Sequence, residues 1–294
     1  MEEKEVKRVD SGNLSKGNET SAGDKKKMSA SPEEANKAAK TNSSPVRTLS
    51  KSRYLKATPV QVLKFLLSDA ALPLYTPHDS NPNTSQSNDN HDITYSSSLL
   101  APFEELLCAV ILSRPISRRL GLRTIRTILN TPYSFRDPVA IKTVGHERIR
   151  EALDVARTQH NDKTADEVEG LVEILMKNDW HNDLSQLRAQ CKSNAESERE
   201  VLRRSIKGLR KTGLDIFYRR VQWQWEEAYP FVDQRTQDAL EKFGLPRRAE
   251  GIVKMIGVRW EELEEKGVCG AAERAIGADL EKKVDEVLDE ARKL

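Results

Sequence analysis

The sequence predicts an all-α protein, because three of its features are typical of helices and hardly any is typical of strands. From residue 99 onward, apolar side chains recur with a period of about 3.6 residues. The segments with this period number about ten, and short polar or glycine-containing turns join them. The chain has 294 residues, which is long enough to bury a core without disulfide or metal staples.

A basic tail is predicted to precede the helices. Residues 1–56 are rich in Lys, Ser, Asn and Glu and almost lack large apolar side chains, which predicts a disordered segment. They carry 13 Lys and Arg against 8 Asp and Glu. The run Lys25-Lys26-Lys27 is a candidate nuclear import signal or phosphate tether, with a solvated run as the alternative. We expect an ordered domain at 57–294 and a nuclear, otherwise cytoplasmic, protein.

The elements of this domain are predicted in order along the chain. Thr58 as N-cap and Pro59 at the first helical position start the first helix. The polar, turn-rich stretch 76–97 predicts a long flexible loop. Apolar periodicity then predicts helices over these segments: 103–112, 120–128, 149–155, 168–175, 201–206, 216–225, 236–243, 249–256 and a charged one at 280–294.

Charge and cysteine content restrict the class of protein. With 48 Lys and Arg against 46 Asp and Glu, the chain is nearly neutral, so a nucleic-acid partner has to be bound by a local patch. There is no long apolar run that predicts a membrane span and no pattern that predicts a signal peptide. Cys108, Cys191 and Cys269 are too few for a four-Cys zinc or iron–sulfur site, and the five histidines are scattered. We therefore expect no metal and no cofactor.

The positive charge of the ordered part gathers at one joint between two predicted helices. The first helix is predicted to end at Ile206-Lys207, Gly208 supplies a left-handed turn residue, and the next helix begins around Lys211-Thr212. Such a hairpin leaves the first N–H groups of the second helix free to bind an anion. A DNA phosphate suits this joint, and a solvated helix face is the alternative. The basic residues around it are Arg199, Arg203, Arg204, Lys207, Arg210, Lys211, Arg219 and Arg220.

Asp233 opens the helix that follows the segment Pro230-Phe231-Val232. Its position predicts an N-cap. The apolar residues before it and the hairpin one helix upstream also suit a partly desolvated carboxylate beside a bound DNA backbone. Capping alone and capping combined with chemistry both remain open from the sequence.

The hairpin, one further helix, a proline-containing loop and an aspartate that opens the next helix together resemble the HhH-GPD superfamily of base-excision DNA glycosylases. The segment PFEELLCAVILSRPIS at 102–117 resembles the apolar helix of that family, which ends in Leu-Ser, and RTQHNDKTADEVEGLVEIL at 157–175 resembles a second family helix. The similarity covers roughly 99–255. It implies a two-lobed orthogonal helical bundle, in which the helix–hairpin–helix grips duplex DNA and a flipped nucleotide enters a pocket between the lobes.

The resemblance also implies roles for particular residues. By position, Asp233 is the catalytic carboxylate, which stabilises positive charge on the sugar or activates the attacking water. Trp223, Trp225 and Tyr229 are candidates for a pocket that stacks on the base, with ordinary core packing as the alternative. No metal or cofactor is implied, and we expect a monomer that binds double-stranded DNA. The DNA-binding residues implied are Lys207, Gly208, Leu209, Arg210, Lys211, Thr212 and Gly213.

Three positions depart from the family pattern. Arg210 replaces the second glycine of the hairpin. The Schiff-base lysine of bifunctional members falls on Thr212 in a gapless register, which implies a monofunctional enzyme, whereas a one-residue deletion would place that lysine on Lys211. Pro115 stands where many members carry a glutamine that fills the gap left by the flipped base.

The leading hypothesis is therefore a monofunctional DNA glycosylase that hydrolyses the N-glycosidic bond of a damaged or mismatched base in base-excision DNA repair. One alternative is a relative of the same fold that binds DNA without catalysis, which Arg210 and Pro115 favour. The other is a helical scaffold that no longer contacts DNA.

Overall fold

The computed structural model describes residues 56–76, 92–96, 99–257 and 267–294. Within these ranges the chain forms helices and contains no strand, which confirms the predicted all-α class. Most of the predicted tail 1–56 and of the predicted loop 76–97, including Lys25-Lys26-Lys27, lies outside the described residues. The α-helices in these ranges are α1 (Pro59–Leu67), α2 (Leu72–Tyr75), α3 (Pro102–Leu112), α4 (Arg118–Leu129), α5 (Pro138–Val155), α6 (Asn161–Lys177), α7 (Ser185–Gln190), α8 (Ala195–Ser205), α9 (Lys211–Val221), α10 (Gln234–Lys242), α11 (Ala249–Ile256), α12 (Val268–Leu280) and α13 (Val284–Ala291).

Polar residues with short side chains begin several of these helices. The side chain of Thr58 accepts a hydrogen bond from the backbone of the third residue of α1, and Pro59 follows it as predicted. Ser117, Asn194 and Asp233 cap α4, α8 and α10 in the same way. Each cap satisfies a backbone N–H that has no partner inside its helix.

The first hydrophobic core is built around α3. Nine of the eleven residues of this helix are buried, and it packs against α4, α6 and α9. Phe103, Leu107, Phe217 and Trp225 are among the large side chains that fill this core. Removing one such side chain would cost about 3–5 kcal/mol of stability. Helices α3–α9 form one lobe on this core.

A second hydrophobic core joins the two ends of the described chain. Helix α12 packs against α1, α2 and α10, and α13 packs against α1. Val62 and Leu66 of α1 and Ala275 of α12 lie in this core. Helices α1, α2 and α10–α13 therefore form a second lobe, which agrees with the predicted two-lobed arrangement.

The C-terminal region differs from the predicted single helix at 280–294. The chain forms α12 and then a separate α13, with Lys282 in a left-handed conformation (φ 59°) between them. Apolar periodicity does not predict α12, because much of its buried face consists of alanine and glycine. Close packing requires the small Gly277, since a Cβ there would lie 2.8 Å from the carbonyl oxygen of Tyr75.

Two further observations complete the fold. Helix α5 begins well before the predicted segment 149–155, and it is kinked at Gly145, whose φ is 74°. None of the helices within the described ranges combines the length and the apolar character that crossing a bilayer requires.

Candidate functional site

The predicted hairpin is present between α8 and α9. Helix α8 ends at Ser205, Gly208 is left-handed with φ 90°, and α9 begins at Lys211, which confirms the predicted turn. The positive φ favours glycine at this position. A Cβ on Gly208 would also lie 2.7 Å from the carboxyl carbon of Glu167 on α6. The backbone conformation therefore favours glycine here, and any larger residue would also have to displace the Glu167 carboxylate.

The side of the hairpin that faces the interior packs against the first lobe. Leu209 is 1% exposed, and a Cβ on Gly213 would lie 2.7 Å from its Cδ1. Glu167 forms an ion pair with Arg114, which follows the Leu-Ser segment at the end of α3. The hairpin, the end of α3 and α6 thus meet at one point.

A shallow cavity of about 590 Å³ lies along the hairpin and is lined by residues 203–211, and we call it the hairpin cavity. Arg210 is the N-cap of α9 and makes no side-chain capping hydrogen bond. The first N–H groups of α9 therefore lack an intrahelical partner and a side-chain cap. Lys207 and Arg210 are exposed, and neither forms an ion pair or hydrogen bond with any residue that the structure describes.

The other cations of the hairpin cavity are paired. Arg203 and Arg204 bind Glu200 at 2.8 and 2.5 Å, and Lys211 binds Asp215 at 2.6 Å. Exposed pairs of this kind exchange partners at little cost, because each contributes only about 0–1 kcal/mol. The hairpin cavity consequently presents both unpaired and readily released cations.

Two residues of the predicted basic patch lie in the interior. Arg219 and Arg220 are each 5% exposed, so the sequence prediction of a surface position is wrong for them. They lie in the last turn of α9, which is buried, and their guanidinium groups meet buried carboxylates instead of solvent. Arg220 pairs with Glu105 at 2.9 Å, while Arg219 pairs with Asp233 and Glu273.

A larger cavity of about 620 Å³, which we call the cleft, adjoins the hairpin cavity. It is lined by residues at the starts of α4, α9 and α10 and toward the end of α12, so both lobes contribute to it. Asp233 and Thr212 both line it, as does Tyr95. Lys211 lines the cleft and the hairpin cavity alike.

Asp233 is the N-cap of α10, as its sequence position predicts, and it also lines the cleft. Its Oδ1 accepts a hydrogen bond from the backbone N–H of Thr236 at 3.1 Å, and its Oδ2 accepts one from the Thr236 hydroxyl at 2.9 Å and one from Arg219 at 2.6 Å. Burial alone would raise the pKa of Asp233, which is only 7% exposed, but Arg219 and Thr236 outweigh burial and lower it. The carboxylate is therefore ionised at neutral pH.

Arg219, on α9 of the first lobe, connects Asp233 to a second buried carboxylate, and both carboxylates belong to the second lobe. Its Nε donates to Glu273 on α12, and the Tyr95 hydroxyl donates to the same carboxylate oxygen at 3.3 Å. Burial opposes the charge of Glu273, but the nearby Arg219 and Arg220 outweigh it and lower the pKa. This network holds Asp233 in a fixed position and also partly neutralises its charge. Glu273 and Tyr95 are site residues that no sequence pattern identifies, whereas the sequence places Arg219 among the hairpin cations and does not pair it with Asp233.

Lys211, the alternative position for the lysine that the resemblance implies, forms an ion pair. The Nζ of Lys211 donates to Asp215 at 2.6 Å, and Asp215 also pairs with Arg199 at 2.6 Å. Thr212 is exposed and provides a hydroxyl instead of an amine. The gapless register therefore places a residue without an amine in the cleft that Asp233 lines.

The three aromatic residues of the predicted base pocket are not among the described residues that line the cleft. Trp225 is 1% exposed and makes an edge contact with Phe217 at 5.3 Å between ring centroids, so core packing is correct for it. Trp223 is partly buried, and Tyr229 packs against the second core. Tyr95 is the aromatic side chain that the structure brings to the cleft.

No family model, curated protein or solved structure matches the chain. Within the described ranges, no group of three or more His, Cys, Asp and Glu side chains is arranged to hold a metal ion. Cys108, Cys191 and Cys269 are free and buried.

Proposed function

We propose that the protein binds duplex DNA through the hairpin and hydrolyses the N-glycosidic bond of one damaged or mismatched nucleotide held in the cleft, as a monofunctional glycosylase of the HhH-GPD type. The observation that carries this proposal is the adjacency of an uncapped helix start with exposed cations and a cleft that an ionised carboxylate lines. Lys211 lines both cavities. A DNA backbone bound at the hairpin would thus bring a neighbouring nucleotide to the side of Asp233.

The hairpin supplies the groups that bind a phosphate. The uncapped first turn of α9 provides N–H donors and the positive end of the helix dipole. Lys207 and Arg210 are exposed beside it without partners among the described residues. Binding through such groups releases counterions from DNA and does not depend on base sequence, so we expect affinity to fall steeply with salt.

Asp233 supplies the chemistry. As the base leaves with the electrons of the glycosidic bond, positive charge develops on the sugar. Water then adds at C1′, and the proton that it loses passes to the departing base anion. A fixed carboxylate beside the sugar stabilises that charge, and its lowered pKa keeps it ionised. Since Thr212 has no amine, no covalent imine with the sugar forms at that position.

A second candidate function is DNA binding without catalysis, and a specific observation favours it. Both oxygens of the Asp233 carboxylate accept hydrogen bonds within the protein, and one of them pairs with the Arg219 cation. This pairing weakens the field that a developing sugar cation would experience. Pro115, which has no side-chain donor for an orphaned base, agrees with this candidate.

Base release from duplexes with uracil, alkylated or oxidised bases tests the chemistry, with abasic sites as the readout. We expect Asp233→Asn to reduce release by about 100-fold or more. Asp238→Asn is the matched control, because Asp238 also lines the cleft but is exposed and does not cap α10. Undiminished release by Asp233→Asn would contradict the assigned role, and DNA binding without release from any substrate would support the second candidate.

Binding of an undamaged duplex, followed by fluorescence anisotropy, tests the hairpin separately. Reversing the charges of Lys207 and Arg210 to glutamate should weaken binding by at least about tenfold at low salt and reduce its salt dependence. Lys254→Glu on α11 reverses an exposed charge away from the hairpin and should change the affinity little. An equal loss in both variants would show that bulk charge, and not the hairpin, binds DNA.

A further inference from the structure

Arg118 is a cation of the cleft that lacks a protein partner. It is the first residue of α4, and its Nε is fully buried with no hydrogen bond to any residue in the described ranges. The carboxylates that line the cleft are all engaged elsewhere. Asp233 binds Arg219 and Thr236, Asp215 binds Lys211 and Arg199, and Asp238 binds Gln234 and Arg247.

The surroundings hold Arg118 in this unfavourable position. A Cβ on Gly277 of α12 would lie 2.9 Å from its Nη2, so the guanidinium packs closely against α12 there. The start of a helix is also the end at which the helix dipole disfavours a cation. Glu273 attracts Arg118 electrostatically but uses its hydrogen bonds on Arg219 and Tyr95. A buried donor without a partner costs free energy, which a ligand with acceptors would recover.

The walls of the cleft indicate the kind of acceptor. A guanidinium only donates hydrogen bonds, so its ligand must accept them. Leu112, Ile116 and Ile276 line the cleft together with the Tyr95 ring, and these surfaces suit the faces of a planar ring better than a hydrated ion. Arginine pairs well with a base that presents a carbonyl oxygen, as its pairing with guanine in DNA illustrates.

We propose that Arg118 selects the base in the cleft by its oxo group. The cleft would accept a nucleotide whose base carries a carbonyl where its common counterpart carries an amine, such as uracil in place of cytosine or hypoxanthine in place of adenine. An exocyclic amine is itself a hydrogen-bond donor. In a buried site it would face the N–H donors of Arg118 and leave Arg118 without an acceptor. This inference rests on the proposed DNA binding, since the base must reach the cleft from a duplex held at the hairpin.

Equilibrium binding to uncleavable duplexes tests the selection without requiring catalysis. The probes carry 2′-fluoroarabino nucleotides with uracil or cytosine, and with hypoxanthine or adenine, each opposite an abasic-site analogue so that base pairing contributes nothing. We expect the wild-type protein to bind each oxo member about tenfold more tightly than its amino counterpart. Arg118→Met should bring both ratios close to one without weakening binding of the amino duplexes.

Arg119→Met is the matched control, because it removes the same charge from the next residue, which is exposed and does not line the cleft. It should keep the preference. Arg118→Gln serves as a second variant if Arg118→Met unfolds, and it should also lose the preference. Equal binding of oxo and amino duplexes by the wild-type protein would overturn base selection by Arg118, and so would a preference that survives in the Arg118 variants. Neither result would contradict the proposed function.

Two other outcomes separate this inference from the proposed function. Charge reversal of Lys207 and Arg210 should weaken binding of oxo and amino duplexes equally and leave their ratio unchanged. Failure of the wild-type protein to bind any duplex overturns the proposed function together with the selection. Arg118-dependent competition by inorganic phosphate, with no preference between bases, would show that Arg118 binds an anion and would overturn the selection.

Discussion

The substitution Arg219→Met tests the ion pairs that hold Asp233 in the cleft. Arg219 is buried between the lobes and donates to Asp233 on one side and Glu273 on the other. Methionine retains much of the side-chain volume but donates no hydrogen bond. The variant therefore leaves two buried carboxylates without the cation that they share, while the helices around them keep similar packing.

The expected cost is about 4 kcal/mol of unfolding free energy at neutral pH. Two charge-assisted hydrogen bonds are lost, each worth about 1.5–3 kcal/mol. Breaking a buried ion pair by removing one partner costs about 3–5 kcal/mol, because the remaining charge stays desolvated. Since Glu273 also lies near Arg118 and Arg220, its charge is not left wholly uncompensated, and the lower part of the combined range applies.

The pH dependence of this cost identifies its origin. In the wild-type protein the pKa values of Asp233 and Glu273 are lowered by folding. Their contribution to stability is therefore present above the unfolded pKa of about 4 and is lost as the pH falls through the lowered values. Without Arg219, burial is opposed only by Thr236 at Asp233 and by Arg220 and Arg118 at Glu273, so both pKa values rise relative to the wild-type protein. Protonation of the two carboxylates then stabilises the variant as the pH falls. The difference in unfolding free energy should be largest near pH 8 and smaller at pH 5.

Urea unfolding of both proteins at pH 5 and pH 8, followed by circular dichroism, measures the difference. Arg235→Met is a suitable control, because Arg235 also lines the cleft but is exposed and has no ion pair with a described residue. We expect that control to lie within about 0.5 kcal/mol of wild type. A loss below 1 kcal/mol in Arg219→Met at pH 8, or a loss that does not diminish at pH 5, would refute the reasoning.

Three further substitutions have definite outcomes. Gly208→Ala should lower the unfolding free energy by about 2 kcal/mol, because φ stays positive and the new Cβ meets Glu167, and an unchanged urea midpoint would contradict the hairpin geometry. Trp225→Ala should lower the unfolding free energy by about 3–5 kcal/mol and leave the DNA affinity of the folded protein unchanged. A loss of DNA affinity without a loss of stability would indicate that Trp225 binds DNA. Burial raises the pKa of Glu198, whose carboxylate accepts from the Tyr218 hydroxyl, to about 7, so stability from its protonated form is present at pH 5 and is lost as the pH rises through 7. Glu198→Gln should therefore raise the unfolding free energy at pH 9, by an amount on the order of 1 kcal/mol, and change it little at pH 5. An equal effect at both pH values in urea unfolding would contradict this titration.

Local signals in the sequence predicted the parts of the fold and site that depend on neighbouring residues. The N-caps Thr58 and Asp233 and the left-handed turn at Gly208 appear in the structure where the sequence predicts them. Each depends on interactions within a few residues, such as a side chain that accepts from its own helix or a backbone angle that only glycine adopts readily. The apolar period predicted α3 and α6 for the same reason.

The interior position of Arg219 and Arg220 depended on contacts that no local pattern records. Sequence proximity to the hairpin places both among the hairpin cations, whereas the acids with which they pair lie on α3, on α12 and at the start of α10. Likewise, Tyr95 enters the cleft from a segment that the sequence predicts only as loop.

The sequence by itself determined the all-helical class, the hairpin at Gly208 and the capping position of Asp233, because helical periodicity, turn chemistry and capping are properties of short segments. Only the tertiary structure decided that Asp233 shares Arg219 with Glu273, that Trp225 belongs to the core, and that Arg118 enters the cleft without a partner. The first and third of these outcomes require two lobes to meet, and the second depends on packing within the first lobe. Packing between distant segments sets which charges are buried together, and that determines both the stability of the cleft and the chemistry it offers to a ligand.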